Sequence, residues 1–390
     1  MKNILNKATR ALFGLSLGHF ALDLYAAILT PLYPLITSKL SINLAQISLI
    51  IALGHLISSM MQPVFGFIAD KMRHRIFMVW GLILSSIFIP LTIKTNSIFI
   101  FTLFLLLGML GNAFFHPQVS ALVKDFHKQN PNISRAMGVF LGMGTIGYAL
   151  GPYISTFIIQ NWGENNFLYI GLFGLISCIF IYFFVPKMPD RDCYTKENFF
   201  FIMKEILKNK TCVFLTFVST IKSAVSISFG TYIPFLLQKQ GYSLTQTGLI
   251  VTLFFVSVGL ATIFSSKFER KMGANGVVIL SMVSILPIIL LFLLTFNHLK
   301  YFPVILFILT GFFILLSVGI ILVQAQKEMP QYTAVVSGVM QGFSWGLGAL
   351  FLAPLGIIGQ YFGIKAILIL MASIAFIVGL YTAKYKCLKD

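Results

Sequence analysis

Residues 11–37 read ALFGLSLGHFALDLYAAILTPLYPLIT. The stretch holds one formal charge, Asp23, in an otherwise apolar run with His19 four residues before it. A helix that crosses a bilayer needs roughly 20 mostly apolar residues. The stretch is therefore read as a membrane span with a carboxylate near its middle. It is too long for a signal-peptide core and lacks a clear small-residue cleavage site, so it is expected to be retained. The same window finds eleven more spans, near 44–69, 76–94, 98–123, 135–160, 165–186, 212–238, 244–266, 275–296, 302–326, 333–359 and 364–383. Composition agrees. The chain is 58% hydrophobic and 10% charged, whereas a soluble domain carries roughly 25% charge. So little polar surface leaves apolar surface that must face lipid. The expected fold is an all-α integral membrane protein of about twelve transmembrane helices.

The formal charge of +17 does not point to nucleic acid. The basic residues sit in short gaps between spans, which is the pattern of membrane topology and not of a basic groove. Twenty-two of the 28 Lys and Arg residues fall on one set of alternate loops and five on the other; Lys222 lies inside a span. The rich side faces the cytoplasm. Both termini are thus expected to be cytoplasmic, in a multi-pass protein of a bacterial-type inner membrane. The four cysteines show no metal or disulfide spacing, and no cofactor or metal is expected. No G-x-x-x-x-G-K-(S/T) loop appears, so coupling to ATP within the chain is not expected.

The chain repeats itself at an offset of 200. Pro34, Lys39, Leu44, Gln46, Lys71-Met72, Gly138-Val139, Gly142 and Gly163 match Pro234, Lys239, Leu244, Gln246, Lys271-Met272, Gly338-Val339, Gly342 and Gly363. A constant register over this length indicates duplication. Two parallel, pseudo-symmetric six-helix bundles follow, 1–186 and 211–390. The polar stretch 187–210 is read as a cytoplasmic linker. Its Phe199–Phe201 run, followed by Lys204, Lys208 and Lys210, suggests a short amphipathic helix at the membrane surface.

Three motifs carry a family resemblance. Gly66-x3-Asp70-Lys71-x-Arg73-x-Arg75 resembles the loop signature of the major facilitator superfamily, with Arg73 where that family usually has glycine. Gly138-x8-Gly147-x3-Gly151-Pro152 is similar to its antiporter motif, with Ser155 and Thr156 replacing the last two glycines. Gly18-His19-x3-Asp23, Gln62-Pro63-x2-Gly66 and Gly108-x2-Gly111-Asn112-x3-His116-Pro117 together resemble the fosmidomycin-resistance subgroup of drug exporters, with Gln118 where that subgroup has Glu. The resemblance implies a major facilitator fold and a central cavity lined by spans 1, 4, 7 and 10. It also implies a gating latch at Gly66, Asp70, Lys71 and Arg75. Tight helix packing alone is the plain alternative for the glycine motif.

Asp23 and Lys222 are the only acidic and basic residues deep in spans. A charge in the membrane interior is costly, and its default reading is functional. Asp23 with His19, and with His116 on span 4, is the candidate proton-coupling group. Lys222, Asn112, Ser226, Gln324, Gln341 and Trp345 are candidate substrate-cavity residues. The repeat places Lys222 one residue from the equivalent of Asp23, so the two charges are expected at one depth and to pair. That pair could exchange during transport or merely order two helices. Either histidine could be a plain hydrogen-bond partner.

The expected function is secondary active transport, with no enzymatic activity. The resemblance implies a proton-coupled antiporter for efflux of small molecules or drugs, and hence drug resistance. Lys222 and the histidines would suit an anionic substrate. An uptake permease or a siderophore or metabolite transporter on the same fold is the alternative. A non-transporting receptor or a membrane enzyme is more remote. The expected partners are a small-molecule substrate, protons and membrane lipid; the chain is expected to act as a monomer.

Overall fold

A computed structural model describes residues 2–62, 64–65, 76–126, 133–186 and 199–384. Among the described residues there is no β-strand. The helices are α1 (Ala8–Leu40), α2 (Leu44–Met60), α3 (Ile76–Lys94), α4 (Ile98–Phe126), α5 (Ile133–Trp162), α6 (Glu164–Phe184) and α7 (Lys210–Lys239). Then α8 and α9 run on as Leu244–Thr295, followed by α10 (Phe302–Glu328), α11 (Val335–Phe362) and α12 (Ile364–Lys384). Ten of these runs are long and apolar enough to cross a membrane. One of the ten is two helices, because Gly273 interrupts it at φ 72°, ψ 165°. With the shorter α2 the total is twelve, as read from the sequence.

The chain divides into two compact units. One comprises Met1–Ile42, Leu53–Tyr194 and Tyr242–Leu249; the other comprises Asn43–Ala52, Thr195–Gly241 and Ile250–Asp390. In the first, α1 packs chiefly on α5, then on α6 and α4, while α3 lies between α4 and α6. In the second, α7 packs on α11 and α12, and α9 on α10 and α12. The second set is the first moved on by six helices. The linker helix Phe199–Lys208 buries Ile202 and Ile206 and exposes Phe200, Phe201 and Leu207.

The offset of 200 recurs in backbone detail. Asn43 and Gln46 cap α2 reciprocally: Gln46 N donates to Asn43 Oδ1 and Asn43 N to Gln46 Oε1. Ser243 and Gln246 do the same at the start of α8. Both are capping boxes, which satisfy amides that the first helical turn leaves without partners. Residues in the left-handed region pair in the same way. Gly163 and Gly363 have φ of 83° and 81°, and Ser41 and Gly241 have 52° and 81°. A side chain in this region costs roughly 1–2 kcal/mol. Ser41→Gly is therefore expected to stabilise the protein by about 0.5–1 kcal/mol. Thermal unfolding in detergent checks this; an unchanged or lower midpoint would contradict it.

Two helix crossings complete the pattern. A Cβ on Gly356 would lie 2.5 Å from Ser48 Cβ, and one on Gly248 would lie 2.6 Å from the Pro152 carbonyl and inside the Thr156 side chain. Positions 48 and 156 correspond by the offset to 248 and 356. Each crossing thus pairs one glycine with one hydroxyl residue, with the assignment reversed between the units.

Candidate functional site

The middle of α1 is held by a seam of glycines on α5. A Cβ on Gly151 would stand 2.7 Å from the Leu24 carbonyl, and one on Gly147 would overlap the Phe20 carbonyl. No residue with a side chain allows this approach without a shift. One turn further along α5, a Cβ on Gly144 would lie 2.5 Å from His19 Nε2 and 2.6 Å from Asp23 Oδ2. The space that Gly144 leaves is thus filled by two polar side chains of α1. Glycines 138 and 142 face open space instead. Ser155 and Thr156, which stand in for the motif's last glycines, each donate a hydroxyl hydrogen bond to the Pro152 carbonyl at 2.9 Å.

His19 and Asp23, four residues apart, lie on one face of α1. Asp23 Oδ2 is 3.2 Å from His19 Nε2, and Asp23 Oδ1 is 3.2 Å from His116 Nε2 on α4. The imidazole rings meet edge to face, with centroids 5.1 Å apart at 84°. The other nitrogen of His19, Nδ1, is 2.9 Å from the Phe140 carbonyl on α5, and the Phe140 ring stacks on the imidazole. A carbonyl oxygen only accepts, so Nδ1 carries the hydrogen. In the neutral ring Nε2 is then a bare lone pair, aimed at a carboxylate oxygen. Two acceptors do not face each other at this distance without a proton between them. The cluster is buried but not sealed: the His116 and Asp23 side chains are 25% and 17% exposed.

Two polar oxygens nearby have no hydrogen-bond partner. Asn112 Oδ1 is one turn before His116 on α4, and Ser16 Oγ one turn before His19 on α1. Both residues are more than nine-tenths buried. Unspent buried oxygens are rare in folded proteins and mark a place to look for a ligand.

Lys222 differs from expectation. It is 1% exposed, and its ammonium donates to Ser281 Oγ at 2.7 Å, which is 2.9 Å from Ser317 Oγ. Asp23 is satisfied by the two histidines and Lys222 by a serine, each within its own unit. The expected Asp23–Lys222 pairing would join residues of different units; within its own unit Lys222 has Ser281 as its partner. Ser226 and Gln324 are buried; Trp345 is half-buried. Gln341 is exposed, on a π-helical turn (Val339–Phe343) of α11. Gln118 is buried and accepts from the Met78 amide at 2.8 Å, capping the first turn of α3. Gly66, Asp70, Lys71 and Arg75 lie outside the described residues.

The sequence matches the family model of the Major Facilitator Superfamily over residues 15–353. The chain belongs to the major facilitator superfamily. It is a multi-pass membrane transporter and not an enzyme. It is 27% identical over 364 residues to the fosmidomycin resistance protein of Escherichia coli, covering 90% of this chain and 87% of that one. It is 24% identical to multidrug resistance protein 1 of Bacillus subtilis, covering 85% and 82%. A crystal structure of the nucleoside transporter NupG superposes with a TM-score of 0.80 at 16% identity, covering 96% of this chain and 100% of that one. That likeness concerns the fold. In superfamily terms, the antiporter-like motif is the seam that seats α1. Its spacing was legible in the sequence. Gly144, Phe140, Ser281 and Ser317 were not, because a glycine, a backbone carbonyl and two serines carry no charge or spacing signal.

Proposed function

We propose that the chain is a proton-coupled antiporter that exports small, drug-like molecules across a bacterial inner membrane, with both termini cytoplasmic. The carrying observation is the His19–Asp23 contact, whose geometry calls for a shared proton. With the proton present, α1, α4 and α5 are tied through Asp23, His116 and the Phe140 carbonyl. Without it, a lone pair faces a carboxylate and the tie to α5 weakens. Proton occupancy then alters the hold on α1, a helix that lines the cavity in this superfamily. One proton moving inward gains about 2.3 kcal/mol per 100 mV. Export is favoured over uptake by the drug-resistance relatives and the glycine seam. The substrate's charge is left open, because a fully buried Lys222 spent on Ser281 presents no cation to a solute.

The reading is tested in inverted vesicles with the interior made acidic. Drug accumulation is expected, and it should collapse on adding a protonophore. Accumulation indifferent to the protonophore would overturn proton coupling. The orientation is tested by single-cysteine labelling of intact cells from outside. A cysteine at position 239 should react and Cys193 should not, following the charge asymmetry of the loops. Reaction at Cys193 would reverse the topology.

A further inference from the structure

From the donor geometry we infer that His19, Asp23 and His116 form a binding site for a divalent transition-metal ion such as Zn²⁺, Fe²⁺ or Mn²⁺. One ligand atom from each of the three lies within 4.8 Å of the other two. The two nearest separations are 3.2 Å. Metal bonds to imidazole and carboxylate run about 2.0–2.2 Å, which puts neighbouring tetrahedral ligands about 3.3 Å apart. The two 3.2 Å contacts run to different oxygens of Asp23, so a bidentate carboxylate meets both imidazoles as they stand, whereas a set using one oxygen spans up to 4.8 Å and has to close further. Two histidines and one carboxylate with open positions is a recurrent set for borderline divalent metals.

Three further features separate this cluster from an ordinary hydrogen-bonded triad. A histidine that binds metal nearly always donates its other N–H to a carboxylate, a water or a backbone carbonyl, which fixes the tautomer. His19 does so through Nδ1 to Phe140 O at 2.9 Å, leaving Nε2 as the ligating lone pair. Gly144, by having no side chain, lets His19 Nε2 and Asp23 Oδ2 close in against α5, where any Cβ would lie within 2.6 Å of both. Asn112 Oδ1, buried and without a partner, lies one turn from His116 on the same face of α4 as an unspent oxygen donor. The His116 and Asp23 side chains are 25% and 17% exposed, so the cluster is not sealed by protein. Tyr148 on α5 is a further titratable group within electrostatic reach of Asp23. The absence of metal-like spacing in the sequence is explained by the fold. His19 and Asp23 come from α1 and His116 from α4, far along the chain, so no single local motif announces all three.

The test uses full-length, tag-free protein in detergent, stripped with chelator and titrated with Co²⁺. The expected result is one equivalent per chain, with visible d–d bands that one equivalent of Zn²⁺ abolishes. His116→Gln and Asp23→Asn should each weaken binding by at least tenfold. The Zn²⁺ form of the wild-type protein should give an X-ray absorption spectrum with two imidazole ligands, a readout that needs no variant to fold. Absence of binding, absence of imidazole scattering, or undiminished affinity in the His19→Gln/Asp23→Asn/His116→Gln variant would overturn the site. Proton coupling stands or falls separately, on transport by the metal-free protein.

Discussion

Asp23→Asn is expected to leave a folded transporter that can no longer move substrate uphill. An asparagine at 23 has the shape of a protonated aspartate. Its amide oxygen can accept from His116 Nε2 and its NH₂ can donate to the His19 lone pair, so every hydrogen bond of the proton-loaded cluster is kept. What it cannot do is release the proton. Downhill exchange of substrate should survive, whereas accumulation driven by the membrane potential should vanish. At 100 mV one proton is worth about 2.3 kcal/mol, or roughly 50-fold in concentration ratio. The measurement is accumulation in inverted vesicles, paired with counterflow of labelled substrate. Wild-type accumulation by the variant would remove Asp23 from coupling. Failure of the protein to accumulate in the membrane would mark the cluster as structural, since stripping one partner from a buried charge pair costs about 3–5 kcal/mol.

The second large effect lies in the glycine seam, where two members of one sequence motif should behave in opposite ways. Gly147→Ala puts a methyl into the Phe20 carbonyl, and backbone on both sides leaves nothing flexible to yield. Forced overpacking of this kind costs about 1–3 kcal/mol. The shift would also carry α1 away from α5 at the proton cluster, so transport should fall further than stability. Gly138→Ala meets nothing within 4 Å. It removes a glycine from a helix interior and should stabilise by up to about 1 kcal/mol. Unfolding midpoints and transport rates of the two variants, measured side by side, decide the matter. Equal effects would mean that the motif's spacing and its packing are unrelated.

The fold was open to sequence reading because lipid imposes simple rules. Spans must be long and apolar, and loops sort by charge. The duplication then doubled the signal, down to the Gln46 and Gln246 capping boxes. The His19–Asp23 contact was legible from one helical turn of spacing, and His116 stood out by the face it shares with Asn112 on a span that the family resemblance sets at the cavity. The partner of Lys222 was not. Matching depth says nothing about which way a side chain points. Lys222 corresponds to Leu22, a position that is fully buried in the first unit. One residue along a helix is a rotation of about 100°, so within the repeat Lys222 takes the direction of Leu22 and not that of Asp23, and its ammonium meets Ser281 inside the second unit. Nor could sequence say which of many glycines mattered. Gly144 and Gly138 look alike until a neighbouring helix is placed beside them.

The reversed crossings at Ser48–Gly356 and Thr156–Gly248 bear on ancestry. A protein assembled from two copies of the present first half would set Ser48 against Thr156, two side chains where there is room for one. Two copies of the second half would set Gly248 against Gly356 and leave a gap. Neither half suits its own twin, and each fits the other. A duplicated gene whose products were once interchangeable has thus become a lock with a single key on each side, and a change at one of these four positions would be rescued only by the opposite change across from it.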